Sequence, residues 1–307
     1  MNWNLAYSVG PATYIWRRII WRLRRIAGCR PVVELANGVR WQLPLHDLFA
    51  SDVFVTSGNV DLGCEHILLA YLRTCRCVGD TIDVGAHSGY YSLLLSSESS
   101  RVYAFEPDIR NFGMMDEIAA SCGQIEAVRE AVGDYCGTVS FLQAGNSDVS
   151  HIEPDQQQNP SGQGVVPITT LDVFAGQRNL EVTAVKIDVE GFDILVLEGA
   201  KRLALQQRPV FSVEFGLEAG RPNSWDRLEA FLAETRYVVW AVDLSFPSGK
   251  PLCRFALRSI SDLKSVWTKM LFVVPAEDTF FAQLAAKFPS WGSERLGAMK
   301  VEDWIPS

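Results

Sequence analysis

The sequence Thr81-Ile-Asp-Val-Gly-Ala-His-Ser-Gly-Tyr-Tyr-Ser92 decides the fold. Its short apolar run, Thr81–Val84, leads into a turn with two glycines and then into an apolar segment, which predicts a strand, a tight turn and a helix. Asp83, Gly85 and Gly89 then lie at the carboxyl end of the first strand, where open α/β sheets bind ligands. We expect Gly85 to let the backbone approach a ligand closely and Gly89 to let the helix pack near the strand.

The residues of this turn favour an adenosine cofactor with a cationic group. The dinucleotide fingerprint needs a glycine where this chain has His87, which weakens an NAD-dependent oxidoreductase as the alternative. Asp83 suits an ammonium group such as that of S-adenosylmethionine, whereas a pyrophosphate prefers bare helix N–H groups. Glu106 lies 23 residues after Asp83, at the tip of the second strand, where an acid hydrogen-bonds the ribose hydroxyls of such a cofactor.

Strands and helices alternate along the rest of the chain. The first segments predict a hairpin around Asn37-Gly38, a loop over 44–61 and a helix over 65–73. Further strands are predicted at 102–105, 125–128, 139–142, 182–189, 209–215, 237–242 and 267–274, and further helices at 88–97, 108–121, 193–207 and 225–234. The alternation predicts an α/β fold, a doubly wound, mostly parallel seven-stranded sheet with helices on both faces.

A second group of charged residues ends a later strand, Lys186-Ile-Asp-Val-Glu-Gly191. The two-residue period of a strand puts Lys186, Asp188 and Glu190 on one side. Charged side chains in a buried strand need a reason, so these three are candidate catalytic residues or part of a metal site. Glu214 ends the next strand and completes a carboxylate trio suited to Mg²⁺, although the nearby Lys186 ammonium argues against a metal.

Six segments together resemble one family: DVGAHSGYYS, AFEP, EAVGD, ITTLDVF, KIDVEGFDILVLEGA and VEFG. Over residues 61–216 the chain is similar to the FkbM family of S-adenosylmethionine-dependent methyltransferases. The resemblance implies a class I methyltransferase (Rossmann-like) fold. It also implies O-methylation of a hydroxyl on a sugar, glycan or secondary metabolite. A non-catalytic membrane-peripheral or glycan-binding protein with the same fold is the alternative.

The resemblance also implies roles for individual residues. The cofactor-binding positions would be Asp83 and Gly85 at the amino-acid end, with His87 and Gly89 in the same turn, Glu106 at the ribose, and Glu130 and Ala131 beside the adenine. His87 departs from the family, which more often has Asn there.

The acceptor side is implied more loosely. Asp188 and Glu190 would face the transferred methyl group and the acceptor, with Lys186 beside them. His151, if its loop folds inward, and Glu214, whose carboxylate ends the next strand, are the candidate acceptor-binding residues. The segment around Ser147 to His151 matches the serine-rich segment of the family only loosely, which leaves acceptor recognition open.

Charge is unevenly distributed along the 307 residues, which contain 28 Lys+Arg and 36 Asp+Glu, a net charge of −8. A 48% hydrophobic composition excludes a disordered chain, and the acidic total argues against nucleic acid as a partner. Residues 1–30 hold six arginines and no acid or lysine, which leaves 22 basic residues against 36 acidic ones elsewhere.

The basic residues fall on an amphipathic helix over Tyr14–Ile26. Three interpretations stay open: peripheral contact with an anionic membrane or a partner, a terminal helix that packs its apolar face on the body and solvates its arginines, and a cleaved targeting peptide.

Seven cysteines, an odd number without CxxC spacing, favour a reducing compartment. We therefore expect a cytoplasmic protein, with peripheral contact to the inner face of a membrane as the extension of that prediction. The expected parts are a basic arm (1–30), a hairpin and helix (31–80), a methyltransferase core (81–275) and a tail (276–307).

Overall fold

The computed structural model describes residues 3–74, 78–142, 151–152, 163–189, 191–214, 224–244, 254–259, 267–292 and 299–306. The chain divides into two compact units. The terminal unit comprises Met1–Cys75, Trp240–Met270 and Thr279–Ser307, and the core unit comprises Arg76–Val239 and Leu271–Asp278. The four-part division expected from the sequence stays a prediction.

The described helices are α1 (Trp3–Val9), α2 (Pro11–Ile26), α3 (Leu48–Thr56), α4 (Cys64–Thr74), α5 (Tyr90–Leu95), α6 (Ile109–Ser121), α7 (Leu171–Arg178), α8 (Asp193–Glu198), α9 (Lys201–Gln207), α10 (Ser224–Thr235), α11 (Phe280–Lys287) and a 3-10 helix (Val301–Trp304). The described strands are β1 (Val32–Glu34), β2 (Arg40–Gln42), β3 (Asp80–Val84), β4 (Val102–Phe105), β5 (Ile125–Val128), β6 (Ala131–Val132), β7 (Gly137–Leu142), β8 (His151–Ile152), β9 (Gln163–Thr169), β10 (Val182–Ile187), β11 (Val210–Glu214), β12 (Tyr237–Asp243), β13 (Arg254–Ser259), β14 (Met270–Pro275) and β15 (Trp291–Gly292). Among the described helices, none is long and apolar enough to cross a membrane.

The main sheet of the core unit confirms the predicted fold. Within the core unit, its strands lie in the order β12–β14–β11–β10–β3–β4–β5, and the four pairings from β11 to β5 are parallel. The order reverses between β3 and β10, so the carboxyl ends of these two strands flank the crevice where doubly wound sheets bind ligands. Apolar residues of these strands, such as Ile82, Phe105 and Val185, are completely buried, as expected of strands covered by helices.

A second sheet of the core unit was not expected. It has four strands in the order β6–β9–β7–β8. β7 and β9 form a long antiparallel pair, in which Val139 lies opposite Val166. Residues 146–164 are rich in Gln, Asn, Ser, Gly and Pro, a composition that predicts only an exposed loop, because local composition does not reveal which distant strand a segment pairs with.

In the terminal unit, β1 and β2 form the predicted antiparallel hairpin. The last four residues of β12 also pair antiparallel with β13 in this unit. The loop expected over 44–61 is wrong, because α3 forms there. Asp47 begins that helix by accepting a hydrogen bond from Phe49 N at 2.9 Å, and Ala50 and Val53 are fully buried. Tertiary burial thus overrides the low helix propensity of its β-branched residues.

The single helix expected over 193–207 is broken into α8 and α9 at Gly199. A Cβ at this position would collide with the carbonyl oxygen of Gly133 and would lie 3.3 Å from Cβ of Thr170. Gly199 also accepts a hydrogen bond from Asp172 N at 2.9 Å. The chain therefore passes so close to its neighbours that only glycine fits.

Replacing Gly199 with alanine should lower the free energy of unfolding by about 2–3 kcal/mol, because backbone atoms must move to admit the methyl group. Urea denaturation measures this loss. Gly113→Ala is the matched control, since nothing lies within 4 Å of a Cβ there, and it should stabilise α6 by up to about 1 kcal/mol. Equal effects of the two substitutions would contradict the steric explanation.

Candidate active site

Two charged residues predicted from different motifs lie side by side in the sheet. The register of β3 and β10 places Asp83 opposite Lys186, and the next strand places Ser212 beside Lys186. All three are almost completely buried, with Asp83 at 0%, Lys186 at 3% and Ser212 at 1% exposure. The two motifs thus meet at the carboxyl edge of the sheet.

The ammonium group of Lys186 is surrounded by acceptors and an aromatic ring. Its Nζ donates to the carbonyl oxygen of Gly85 at 3.2 Å and lies 3.2 Å from Asp188 Oδ2 and 3.7 Å from Asp83 Oδ1. It also lies 4.9 Å from the centre of the Tyr91 ring, a contact that the sequence did not indicate. A buried cation is tolerable only with such compensation.

The carboxylate of Asp83 is only partly satisfied. Its Oδ2 accepts a hydrogen bond from Ser92 Oγ at 2.6 Å, whereas its buried Oδ1 has no hydrogen bond from the described residues. Burial raises the pKa of Asp83, while the Lys186 charge and the Ser92 hydroxyl act in the opposite direction. A buried acceptor without a donor calls for an explanation, and a ligand donor is one.

The two glycines of the turn have positive φ angles, +78° at Gly85 and +89° at Gly89. A Cβ at Gly85 would collide with the carbonyl oxygen of Asp188, so this glycine is needed for contact with the end of β10. Its approach to a ligand stays a prediction. A Cβ at Gly89 would lie 2.8 Å from Cδ1 of Ile118. Gly89 therefore allows close packing against α6, whereas we had expected packing near the strand.

Glu106, expected at the ribose, holds two backbone segments. Its Oε2 accepts a hydrogen bond from His87 N and its Oε1 accepts one from Asp108 N, both at 2.8 Å. It is 5% exposed, and burial raises its pKa to about 7. His87 has a φ of +50°, so Glu106 stabilises a left-handed turn. Each carboxylate oxygen retains a second lone pair for a ligand hydroxyl.

Asp193 is a candidate-site residue that the sequence patterns did not indicate. Its Oδ1 accepts from Val189 N and its Oδ2 from Gly191 N, both at 3.1 Å, so it holds the turn that follows Asp188. Burial, and then the Asp188 charge, raises its pKa to about 7. The signal was an acid two residues after a glycine at a strand end, a spacing at which aspartate bonds nearby backbone N–H groups.

Three other predicted site residues lie at or next to the ends of strands. Glu214 ends β11 half-buried, one position beyond the pairing of Ile187 with Val213, and therefore beside the end of β10. Glu130 is half-buried between β5 and β6, and Ala131 pairs with Ile168 in the second sheet. Glu190 and the side chain of His151 lie outside the described residues, so their roles stay predictions.

Within the described ranges, no group of three or more His, Cys, Asp or Glu side chains is arranged to hold a metal ion. Glu190, one member of the expected trio, lies outside those ranges. The Mg²⁺ alternative therefore stays a prediction.

Replacing Lys186 with methionine should lower the free energy of unfolding by about 3–5 kcal/mol at pH 7, because it leaves the buried Asp83 carboxylate without its cation. Chemical denaturation measures the loss. The Asp83→Asn/Lys186→Met pair should recover much of the stability. If the double variant is as unstable as the sum of the single variants, the two groups do not interact.

Other proteins are similar to this chain in sequence or in fold. A family model described as the methyltransferase FkbM domain matches residues 83–239, about half of the chain. No curated protein matches the sequence. The chain has 15% identity and a TM-score of 0.41 to a methyltransferase FkbM from Methylobacillus flagellatus KT, covering 75% of this chain and 56% of that one.

A precorrin-6y C5,15-methyltransferase from Geobacter metallireducens GS-15 is similar at 11% identity and a TM-score of 0.35, over 68% of this chain and 87% of that one. A putative RNA methyltransferase from Pyrococcus horikoshii is similar at 12% identity and a TM-score of 0.36, over 73% and 82%. Because the family model covers half of the sequence, including Asp83, Glu106 and Lys186, the chain belongs to the FkbM methyltransferase family.

Proposed function

We propose that this protein is an S-adenosylmethionine-dependent methyltransferase that methylates a hydroxyl group of a sugar, a glycan or a secondary metabolite. Membership of the FkbM family supports the methyltransferase part. The observation that carries the cofactor part is Asp83 Oδ1, a buried acceptor without a hydrogen bond from the described residues, at the carboxyl edge of the sheet.

The residues at this edge fit the cofactor chemically. Asp83, Asp188 and Lys186 together have a formal charge of −1, which suits the α-ammonium group of S-adenosylmethionine. Asp83 Oδ1 would accept a hydrogen bond from that ammonium group. Glu106 follows the next strand, and its remaining lone pairs can accept the two ribose hydroxyl groups.

When bound, S-adenosylmethionine supplies an electrophilic methyl group on a sulfonium, so the protein mainly aligns the acceptor oxygen. An alcohol oxygen attacks well only as its proton is removed. The Asp188 side chain is one-third exposed, unlike that of Asp83. We assign it the role of accepting that proton, while Lys186 and the turn held by Asp193 fix its position.

The cofactor affinity should rise with pH through about 7. Glu106 in the free protein has a pKa of about 7, and ribose hydroxyls donate to the ionised carboxylate, so the protonated form must lose its proton before it binds. We expect about tenfold weaker binding at pH 6 than at pH 8. Calorimetry in buffers of different ionisation enthalpy measures both the affinity and the proton released.

Glu106→Gln should bind more weakly and lose this pH dependence. Asp193→Asn is the matched control, because its parent carboxyl also has a pKa of about 7 but holds only the turn after Asp188. It should retain the dependence. If Asp193→Asn abolishes it and Glu106→Gln does not, the ribose role of Glu106 is wrong. Absence of S-adenosylmethionine binding to the unmodified protein would overturn the proposed function.

The transferred group is testable with S-adenosylmethionine that carries a CD₃ methyl. Glycan and metabolite extracts incubated with the protein should yield a labelled product in which CD₃ replaces a hydroxyl hydrogen, identified by mass spectrometry and fragmentation. Asp188→Asn should lower the rate of labelling by about 10²-fold or more while changing the cofactor affinity little. Labels found only on nitrogen or carbon would refute O-methylation.

The proposal also includes a cytoplasmic location. Cys29, Cys64, Cys122 and Cys136 are free thiols in the structure, in keeping with a reducing compartment.

A further inference from the structure

Helix α2 docks within the terminal unit through a face that mixes aromatic and basic residues. Tyr14 and Trp21 are 4% and 6% exposed, and the Trp21 ring lies 5.5 Å from that of Phe54 in α3. These two aromatic side chains anchor the helix.

Two arginines reinforce this docking. Arg17 Nη1 donates to Val55 O and to Ser57 Oγ, both at 2.7 Å. Arg18 donates to Ser51 Oγ at 2.6 Å and forms an ion pair with Asp52. The expectation of a helix that packs its apolar face and solvates its arginines is therefore wrong for these two residues.

The opposite side of α2 is apolar and open to solvent. At 100° per residue, its exposed apolar side chains cover about 100° of the helix, centred roughly opposite Tyr14 and Trp21. Their exposures are 47% for Ile15, 61% for Trp16, 45% for Ile19, 60% for Leu23 and 84% for Ile26. A contiguous row of this kind marks an interaction surface, unlike the scattered apolar residues of ordinary surfaces.

The residues around this row are basic. Arg22 borders it, Arg24 and Arg25 lie farther round the helix and Arg30 follows it, and all four are exposed. The sequence contains no acid before Glu34, so no carboxylate of the helix neutralises these cations. A second copy of the same face would bring like charges together, which disfavours self-association.

We propose that α2 lies in the interface of an anionic membrane, with the row of Ile15, Trp16, Ile19, Leu23 and Ile26 below the headgroups and the exposed arginines on lipid phosphates. The helix has 16 residues and is about 24 Å long, too short and too charged to span the bilayer but suited to lying in its plane. The inference concerns the terminal unit and does not depend on the proposed methyl transfer.

Flotation of the full chain with vesicles tests the proposal. We expect binding to phosphatidylcholine vesicles that contain phosphatidylglycerol, much weaker binding to phosphatidylcholine alone, and release by high salt. Ile19→Ser/Leu23→Ser should lower the affinity at least tenfold. Leu205→Ser is the matched control, because Leu205 is 55% exposed in α9, and it should bind like the unmodified protein.

Charge and insertion are tested separately. Arg22→Gln/Arg24→Gln should lower affinity for the anionic vesicles about twenty-five-fold, at about fivefold per arginine. Brominated lipids should quench part of the tryptophan fluorescence, and Trp16→Phe should remove that part. Circular dichroism and cofactor binding should be unchanged in all these variants.

Three outcomes would overturn the proposal. The first is that the full chain does not bind anionic vesicles, and the second is that Ile19→Ser/Leu23→Ser binds them as well as the unmodified protein. The third is that light scattering shows a dimer which the two serine substitutions dissociate, while neither protein binds vesicles. The last result would identify a second copy as the occupant of the face.

Discussion

The buried ammonium group of Lys186 is the constraint on which the rest of the site depends. A cation that is 3% exposed inside a parallel sheet needs negative charge on both sides. Asp83 on β3 and Asp188 after β10 provide it, and the Gly85 carbonyl provides a further acceptor. Two turns flank the crevice. Their separation is therefore set by the contacts of Lys186 and by the close approach of Gly85 to the Asp188 carbonyl.

Two further carboxyl groups shape the same edge in another way. Glu106 and Asp193 each accept two backbone N–H groups, and both have a pKa raised to about 7 by burial. They hold the turns around His87 and Gly191 in place before any ligand arrives. Such preorganisation suits the proposed methyl transfer, which depends on alignment of the reacting groups. Acids at strand ends thus serve here both as charge partners and as backbone anchors.

The sequence predicts the parallel strands well because strands buried on both faces are short apolar runs with conspicuous charged interruptions. Asp83, Lys186 and Asp188 stand out for that reason. Asp193 and Tyr91 do not. Asp193 accepts from backbone N–H groups of its own turn, which no side-chain pattern records, and the Tyr91 ring contacts Lys186 from a segment distant in sequence. The second sheet escaped prediction likewise, since β7 and β9 are separated by a polar segment whose pairing no local pattern records.

Helix α2 shows where periodicity stops being informative. The helical wheel separates an apolar face from a basic one, but it does not say which face the protein buries. Ser51, Asp52 and Ser57 on and beside α3 provide acceptors for Arg17 and Arg18, and Phe54 provides a surface for Trp21. Polar complementarity with α3 therefore selects the docked face. Folding leaves the apolar row in water, where it is unfavourable, and an external apolar phase bordered by anions would relieve that cost.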